Sequence, residues 1–305
     1  MLYYPEGALV YSNDNISSFN SIESLKAAQK NEKILEGIAV CCDEHHNIIV
    51  SLYNNFKGII PRNEGALGIL EGTTKDIALI SKVSKPICFI IKEIKQDNTL
   101  ILSRRRAQQL CYDNYISKLA PGDVVPAIVT HFEKYGSFVD IGCGFASLIP
   151  IAAISISRIE HPSDRFTKGQ KIYAIVKSIE IDKKICLSHK ELLGTWVENA
   201  QKFRAGETVC GIVRSITDYG IFVELQPNLA GLAENKEGIE IGNTVSVFIK
   251  SLIPEKMKAK LAIVDCNPNA AKKPSELKYF IKSGHLRSWR YSPENCDKLI
   301  ETIFN

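Results

Sequence analysis

The chain has nine cysteines but no Cys-x-x-Cys pair. A paired disulfide framework would leave one thiol over, and the odd, scattered set reads better as reduced, mostly buried thiols. Cys41-Cys42 with His45-His46 has the residue types of a metal site. Adjacent side chains on a strand point to opposite faces, so that spacing does not converge on one ion. No apolar run approaches the ~20 residues that a membrane-spanning helix needs. The N-terminus also lacks the basic-then-apolar order of a secretory signal, so the expectation is a cytoplasmic protein with no membrane contact. Gly-x-Ser-x-Gly and Gly-x4-Gly-Lys-Ser/Thr are both missing. Ser188 and His189 are neighbours on a strand and cannot form a nucleophile–base pair by themselves. No catalytic residue, no metal ligand and no cofactor is expected, and the chain does not read as an enzyme.

Strong net charge is missing as well. The chain carries +4, and residues 267–305 hold seven Lys/Arg against four acids, which leaves the remainder near +1. A body so close to neutral cannot hold a polyanion by bulk attraction, so any nucleic-acid binding has to come from stacking and local patches.

What is present is a period. Tyr135-Gly136-Ser137-Phe138-Val139-Asp140 returns 84 residues later as Tyr219-Gly220-Ile221-Phe222-Val223-Glu224. The register extends upstream to Gly122-Asp123-Val124-Val125 and Gly206-Glu207-Thr208-Val209, and downstream to Phe145–Pro150 and Leu229–Glu234. A worn copy precedes both. Ile87–Lys92 and Leu102-Ser103 lie 85 residues before Ile172–Lys177 and Leu187-Ser188, but His46 and Ile49 stand where the aromatic pair would be. A chain with such self-similarity is a tandem array.

Each unit reads as short strands bounded by Gly and Pro turns, at 124–129, 138–141, 148–151, 171–179 and 184–188 in the middle copy. Five strands in so short a unit suggest a closed barrel, which leaves no exposed edge, and the five-stranded OB-fold fits the count. The fold class is therefore mainly β, three barrels in tandem joined by short linker helices, with a small α-helical C-terminal tail. The expected division is an N-terminal arm and helix at 1–33, a degenerate barrel at 34–104 and a linker helix at 105–119. A barrel at 120–190, a linker helix at 191–204, a barrel at 205–265 and a basic tail at 266–305 follow. Asn20 with Glu23 predicts the N-terminal helix start, and Trp196 lies on the apolar stripe of the second linker, where it reads as packing. Within the tail, 267–274 has linker composition, and 275–283 and 297–304 are expected to be helical.

Strand parity then assigns directions. Val139 and Ile141 share one face and Phe138 and Asp140 the other; Val223 and Leu225 oppose Phe222 and Glu224 in the same way. An unpaired carboxylate is costly to bury, so the Asp140 and Glu224 faces are expected to be wet, with Phe138 and Phe222 on the solvent side. Exposed rings on the oligonucleotide-binding strands of this barrel can stack on bases. Tyr135 and Tyr219 offer a second platform across the glycine bend. Lys184, Lys256, Lys258 and Lys260 lie where phosphates would need neutralising, and Arg104-Arg105-Arg106 is a further basic run that is equally consistent with a solvated helix face.

Gly206–Leu225, Gly122–Ile141 and the closing run Lys184–Lys190 together resemble the RNA-binding domain named after bacterial ribosomal protein S1, over about residues 35 to 265. The resemblance implies an OB-fold whose RNA face carries Tyr135 and Phe138 in one copy and Tyr219 and Phe222 in the next. It also implies roles for Asp182 near the last turn and for Lys184 and Lys258 after it. Pro150 and Glu234 replace the histidine usual after the third strand, and Glu234 is expected to repel phosphate. By the same resemblance the partner is single-stranded RNA such as mRNA, with no DNA expected, and the first repeat faces the small ribosomal subunit. The expected function is non-enzymatic RNA binding during translation; the alternative is a protein-interaction scaffold on the ribosome or on an RNA-processing or decay assembly.

Overall fold

Three closed five-stranded barrels follow one another in a computed structural model that describes residues 3–180, 184–267 and 277–305. The first is built from β1 (Leu35–Cys42), β2 (Ile48–Ser51), β3 (Lys57–Ile60), β4 (Pro86–Ile94) and β5 (Thr99–Ser103). The second uses β6 (Val124–Glu133), β7 (Gly136–Asp140), β8 (Ala146–Pro150), β9 (Lys171–Ile179) and β10 (Ile185–Ser188). The third uses β11 (Thr208–Thr217), β12 (Gly220–Gln226), β13 (Leu229–Ala233), β14 (Thr244–Ile253) and β15 (Lys258–Asn267). In each, the strands neighbour one another in the order 1-2-3-5-4 and the third and fifth run parallel, the connectivity of an OB-fold. β-Branched residues at every second position fill the interiors: Val125, Val129, Val139 and Val176 in the second barrel, and Val213, Val223, Val247 and Ile249 in the third. Register breaks at Ala39/Cys41 in β1 and Val213/Ser215 in β11 supply the bend that closure requires.

The chain divides into two compact units, Met1–Leu119 with Asp140–Ala146, and Ala120–Val139 with Ser147–Asn305. Two helices open the first unit, α1 (Asn13–Ser17) and α2 (Ile22–Lys30). Ser21, not Asn20, caps α2, its hydroxyl accepting from the Ser24 amide; Ser12 caps the unforeseen α1 in the same way. A third short helix, α3 (Ile77–Ile80), leads into β4. The linker helix α4 (Arg104–Asn114) starts at Ser103, whose hydroxyl accepts from the Arg106 amide. In the second unit a 3-10 turn at Lys190–Leu193 and the helix α5 (Trp196–Ala200) join the barrels, and Trp196 is buried. Among the described residues no helix is long and apolar enough to cross a membrane, and no cluster of ligating side chains could hold a metal.

The tail corrects the expectation of helices. Residues 277–283 have no helical hydrogen bonding, and the C-terminus forms a two-stranded antiparallel sheet, β16 (Ser288–Arg290) with β17 (Glu301–Ile303). Linker positions 268–276 lie outside the described residues. The physical reason is packing. An isolated eight-residue helix is marginal in water, whereas this arrangement buries Trp289, Tyr291 and Phe304 against Trp196 and Leu229. Backbone bonds hold the segment in place: Trp196 N donates to Tyr291 O at 3.1 Å and Leu286 N to Gly122 O at 2.8 Å. Gly122, at φ +96°, leaves no room for a side chain; a Cβ there would stand 2.1 Å from the Leu286 carbonyl oxygen.

Candidate nucleic-acid interface

β6 and β7 form a tight hairpin, and Gly136 begins the returning strand because β8 crosses close over it. A Cβ on Gly136 would lie 2.4 Å from the Ile149 carbonyl oxygen; on Gly220 it would lie 2.5 Å from that of Ala233. The hairpin turn therefore carries Tyr135 outward, 57% exposed, and its counterpart Tyr219 is 70% exposed. Val139 and Val223 are fully buried, so parity turns Phe138 and Phe222 to the outer surface, where both are half-buried. Tyrosine and phenylalanine then meet edge to face, at 6.2 Å and 83° in the second barrel and at 6.0 Å and 89° in the third. Two sequence-distant hairpins thus present one aromatic geometry.

The face is not wet along its whole length. Asp140 and Glu224 are buried, against expectation, because each is partnered. Asp140 accepts from the Glu6, Gly142 and Gly144 amides at 2.7–3.1 Å. Glu224 receives Arg165 at 2.7 and 2.8 Å and Arg214 at 2.9 and 3.2 Å. Burial alone would raise the Glu224 carboxyl, but the two guanidiniums hold it below the usual range. The tyrosine-phenylalanine end of each strand face stays open.

Register places the lysines. Phe222 pairs with Leu232 and Leu232 with Lys260, so Lys260 shares the outer face two strands away, about 10 Å from the ring's strand. In the second barrel Cys186 pairs with Leu148, the residue 84 before Leu232, so Cys186 stands where Lys260 does. Lys184 and Lys258, two residues earlier, are then equivalent, and both are exposed. Asp182 lies outside the described residues. Glu234 is tied to Lys250 at 2.8 Å, so the negative charge in the third barrel is answered, but a lysine is engaged in doing so. The counterpart Lys177 has no ion pair among the described residues, and Pro150 stands in place of the acid.

The arginine run is committed elsewhere. Arg104 is buried against Glu6 at 2.7 Å, Arg105 lies 3.4 Å from Glu64, and Arg106 bonds Glu32 at 2.8 Å. Arg104 and Lys82 overcome burial and bring Glu6 down to about 2.

One side chain escaped the sequence reading. His131 lies parallel to Phe138, 4.4 Å between ring centroids and 5° between planes. A two-residue turn at Lys134-Tyr135 places residue 131 opposite 138, so the hairpin length carried that signal. The third barrel has Ser215 opposite Phe222 and no such backing ring.

Comparison with known proteins places these features. Residues 118–190 match the S1 RNA binding domain. The chain is 26% identical over 270 residues to small ribosomal subunit protein bS1 of Rickettsia conorii, covering 80% of this chain and 47% of that one. It is 31% identical over 228 residues to bS1 of Leuconostoc lactis, covering 69% and 52%. It is 27% identical over 274 residues to a bS1 homolog of Bacillus cereus, covering 82% and 69%. The chain spans about half the length of the first of these relatives.

Proposed function

The chain belongs to the ribosomal protein S1 family, and on that premise we propose that it is a non-catalytic, cytoplasmic binder of single-stranded RNA acting in translation. The observation that carries this reading is the repeated edge-to-face pair, Tyr135 with Phe138 and Tyr219 with Phe222. A base has a π-face whatever its identity, so stacking on these rings contributes about 1–3 kcal/mol per base without reading sequence. A duplex keeps its bases stacked on each other and cannot use such a platform. Lys184 and Lys177 beside one pair, and Lys258 and Lys260 beside the other, neutralise the adjoining phosphates. Two modest sites on one chain bind with avidity. The second barrel is the stronger site in this reading, with a backed phenylalanine and a Lys177 that has no ion pair among the described residues; Asp182 belongs to it by resemblance.

The first barrel serves a protein partner in this reading, with the small ribosomal subunit the leading candidate. It has no aromatic pair, and it exposes Leu70, Ile77 and Ile80 on and before α3.

Fluorescence anisotropy with unstructured RNA and with a duplex of equal length tests the stacking mechanism. Preference for the single strand, abolished by combining Phe138→Ala with Phe222→Ala, is the expected result. Equal affinity for both, or full affinity in the double variant, overturns it. Co-sedimentation with ribosomes that survives the double variant would favour the scaffold role instead.

A further inference from the structure

The second unit has a cavity of about 640 Å³ on a different part of its surface, between the α5 linker, the end of β12 and the segment after residue 276. Its size lies within the range of small-molecule sites, about 300–1,000 Å³. Lys202, Lys278 and Lys282 rim it, and no Asp or Glu lines it among the described residues. Leu193 and Leu225 supply an apolar wall.

Three ammonium-bearing side chains thus line one cavity, and Lys278 lies near enough to Lys202 to act on its charge, with no acidic side chain among the described residues lining the cavity to answer them. Lys202 donates to the Gln226 side-chain oxygen at 2.7 Å and sits 5.2 Å from the centre of the Phe280 ring, which fixes its position. Lys278 and Lys282 have no ion pair among the described residues. Partial burial and the Lys278 charge hold the Lys202 ammonium below the ordinary lysine range. Like charges held together around a cavity cost free energy, and an anion seated among them removes that cost. Lysine presents a compact point charge suited to phosphate, and the leucine wall with the Tyr279 ring that also lines the cavity suits a flat, weakly polar group beside it.

We propose that this cavity binds a phosphorylated nucleotide, with Lys202, Lys278 and Lys282 on the phosphate and the apolar wall against the base. The nucleotide is either free or the 5′-terminal residue of an RNA chain, since both present the same chemistry. The site does not depend on the aromatic barrel faces.

Calorimetric titration of the full chain with ADP, with inorganic pyrophosphate, and with 5′-phosphorylated and 5′-hydroxyl oligouridylate tests the assignment. The expected result is that ADP, or the 5′-phosphorylated oligomer over its 5′-hydroxyl form, binds and is weakened at least tenfold by Lys278→Gln with Lys282→Gln. These changes leave Lys202 on Gln226 and Phe280, and an unaltered melting temperature shows that the variant folds. Binding of ADP alone identifies a free nucleotide as ligand; binding of the 5′-phosphorylated oligomer identifies an RNA end. The double Phe138→Ala, Phe222→Ala variant is expected to keep this binding, so failure of the stacking mechanism leaves the assignment standing. Pyrophosphate binding as tight as ADP binding overturns base recognition. Binding that is absent, or that the lysine changes leave intact, overturns the site.

Discussion

His131 lies flat against Phe138, with ring centroids 4.4 Å apart and planes 5° from parallel. One face of the phenylalanine is thereby backed, and Tyr135 holds its position edge-on. A ring held in one rotamer loses less freedom when a base stacks on it, so His131 contributes by preorganisation. Removing a stacked aromatic partner typically costs about 0.5–1.5 kcal/mol. His131→Ala is therefore expected to weaken single-stranded RNA binding roughly 2- to 12-fold, the same energy converted through RT. Unchanged affinity in an anisotropy titration would remove His131 from the platform. Ser215→His in the third barrel is expected to act in the opposite direction.

Arg165 and Glu224 form an ion pair with side chains 0% and 1% exposed. Removing Arg165 leaves the buried Glu224 carboxylate with Arg214 as its one remaining guanidinium, a loss approaching the roughly 3–5 kcal/mol of a buried pair broken from one side. Arg165→Ala is accordingly expected to lower the melting temperature of the second unit far more than Arg214→Ala, because Arg214 keeps some contact with water. Replacing the whole triad, Arg165→Met with Glu224→Leu and Arg214→Met, should restore most of the loss. A melting curve in which the triple variant is no better than Arg165→Ala contradicts this account.

The contrast between Phe138 and Asp140 shows how far sequence reasoning reached. Alternation along a strand is local, so the inward valines and outward phenylalanines were legible from six residues. So were the barrels, because a period of 84 repeats every turn and strand together. Whether a carboxylate is wet depends on its partners, and these lie far along the chain. Glu6 is 134 residues from Asp140, and Arg165 is 59 from Glu224. The tail failed for the same reason: Ser288–Arg290 and Glu301–Ile303 take their form from Trp196 and Leu229, which no window around them contains. His131 lay within reach, given the hairpin register.

Trp289, Tyr291 and Phe304 bury their rings with Trp196, which makes the C-terminal segment part of the second unit's core. Deleting residues after Asp265 is therefore expected to lower the melting temperature by exposing Trp196, beyond any loss of basic charge. Tyr291→Phe is the milder test. It removes one hydroxyl that donates to the Asn228 carbonyl at 2.6 Å and should cost about 1 kcal/mol. A truncated chain that melts where the full chain does would show that the segment is only appended.

His189 is fully buried, with Nδ1 2.7 Å from the Ile154 carbonyl oxygen and Nε2 2.9 Å from the Tyr279 hydroxyl. A neutral ring satisfies both contacts: Nδ1–H donates to the carbonyl and Nε2 accepts from the hydroxyl. Burial pushes its pKa down to about 4, below the ordinary 6.5. As pH falls the unfolded chain takes up the proton first. The contribution is thus complete above pH 6.5 and disappears as pH falls toward 4, up to about 3 kcal/mol in all. Denaturant midpoints of the wild type should fall across that window, and those of His189→Gln should fall less. Parallel slopes would assign the acid sensitivity to other groups.

Salt dependence separates stacking from charge at the proposed RNA face. Each phosphate neutralised on a single strand contributes about −0.7 to the slope of log affinity against log salt. With net charge near +1 outside the C-terminal 39 residues, the wild-type slope should be shallow and assignable to a few lysines. Lys260 lies on the Phe222 face by register, so Lys260→Gln is expected to reduce the slope by about 0.7. Phe222→Ala removes a stacking surface and no charge, so it should lower affinity at every salt concentration while leaving the slope unchanged. If Phe222→Ala flattens the slope instead, the ring acts by positioning the lysines, and the base-stacking account of the third barrel is wrong.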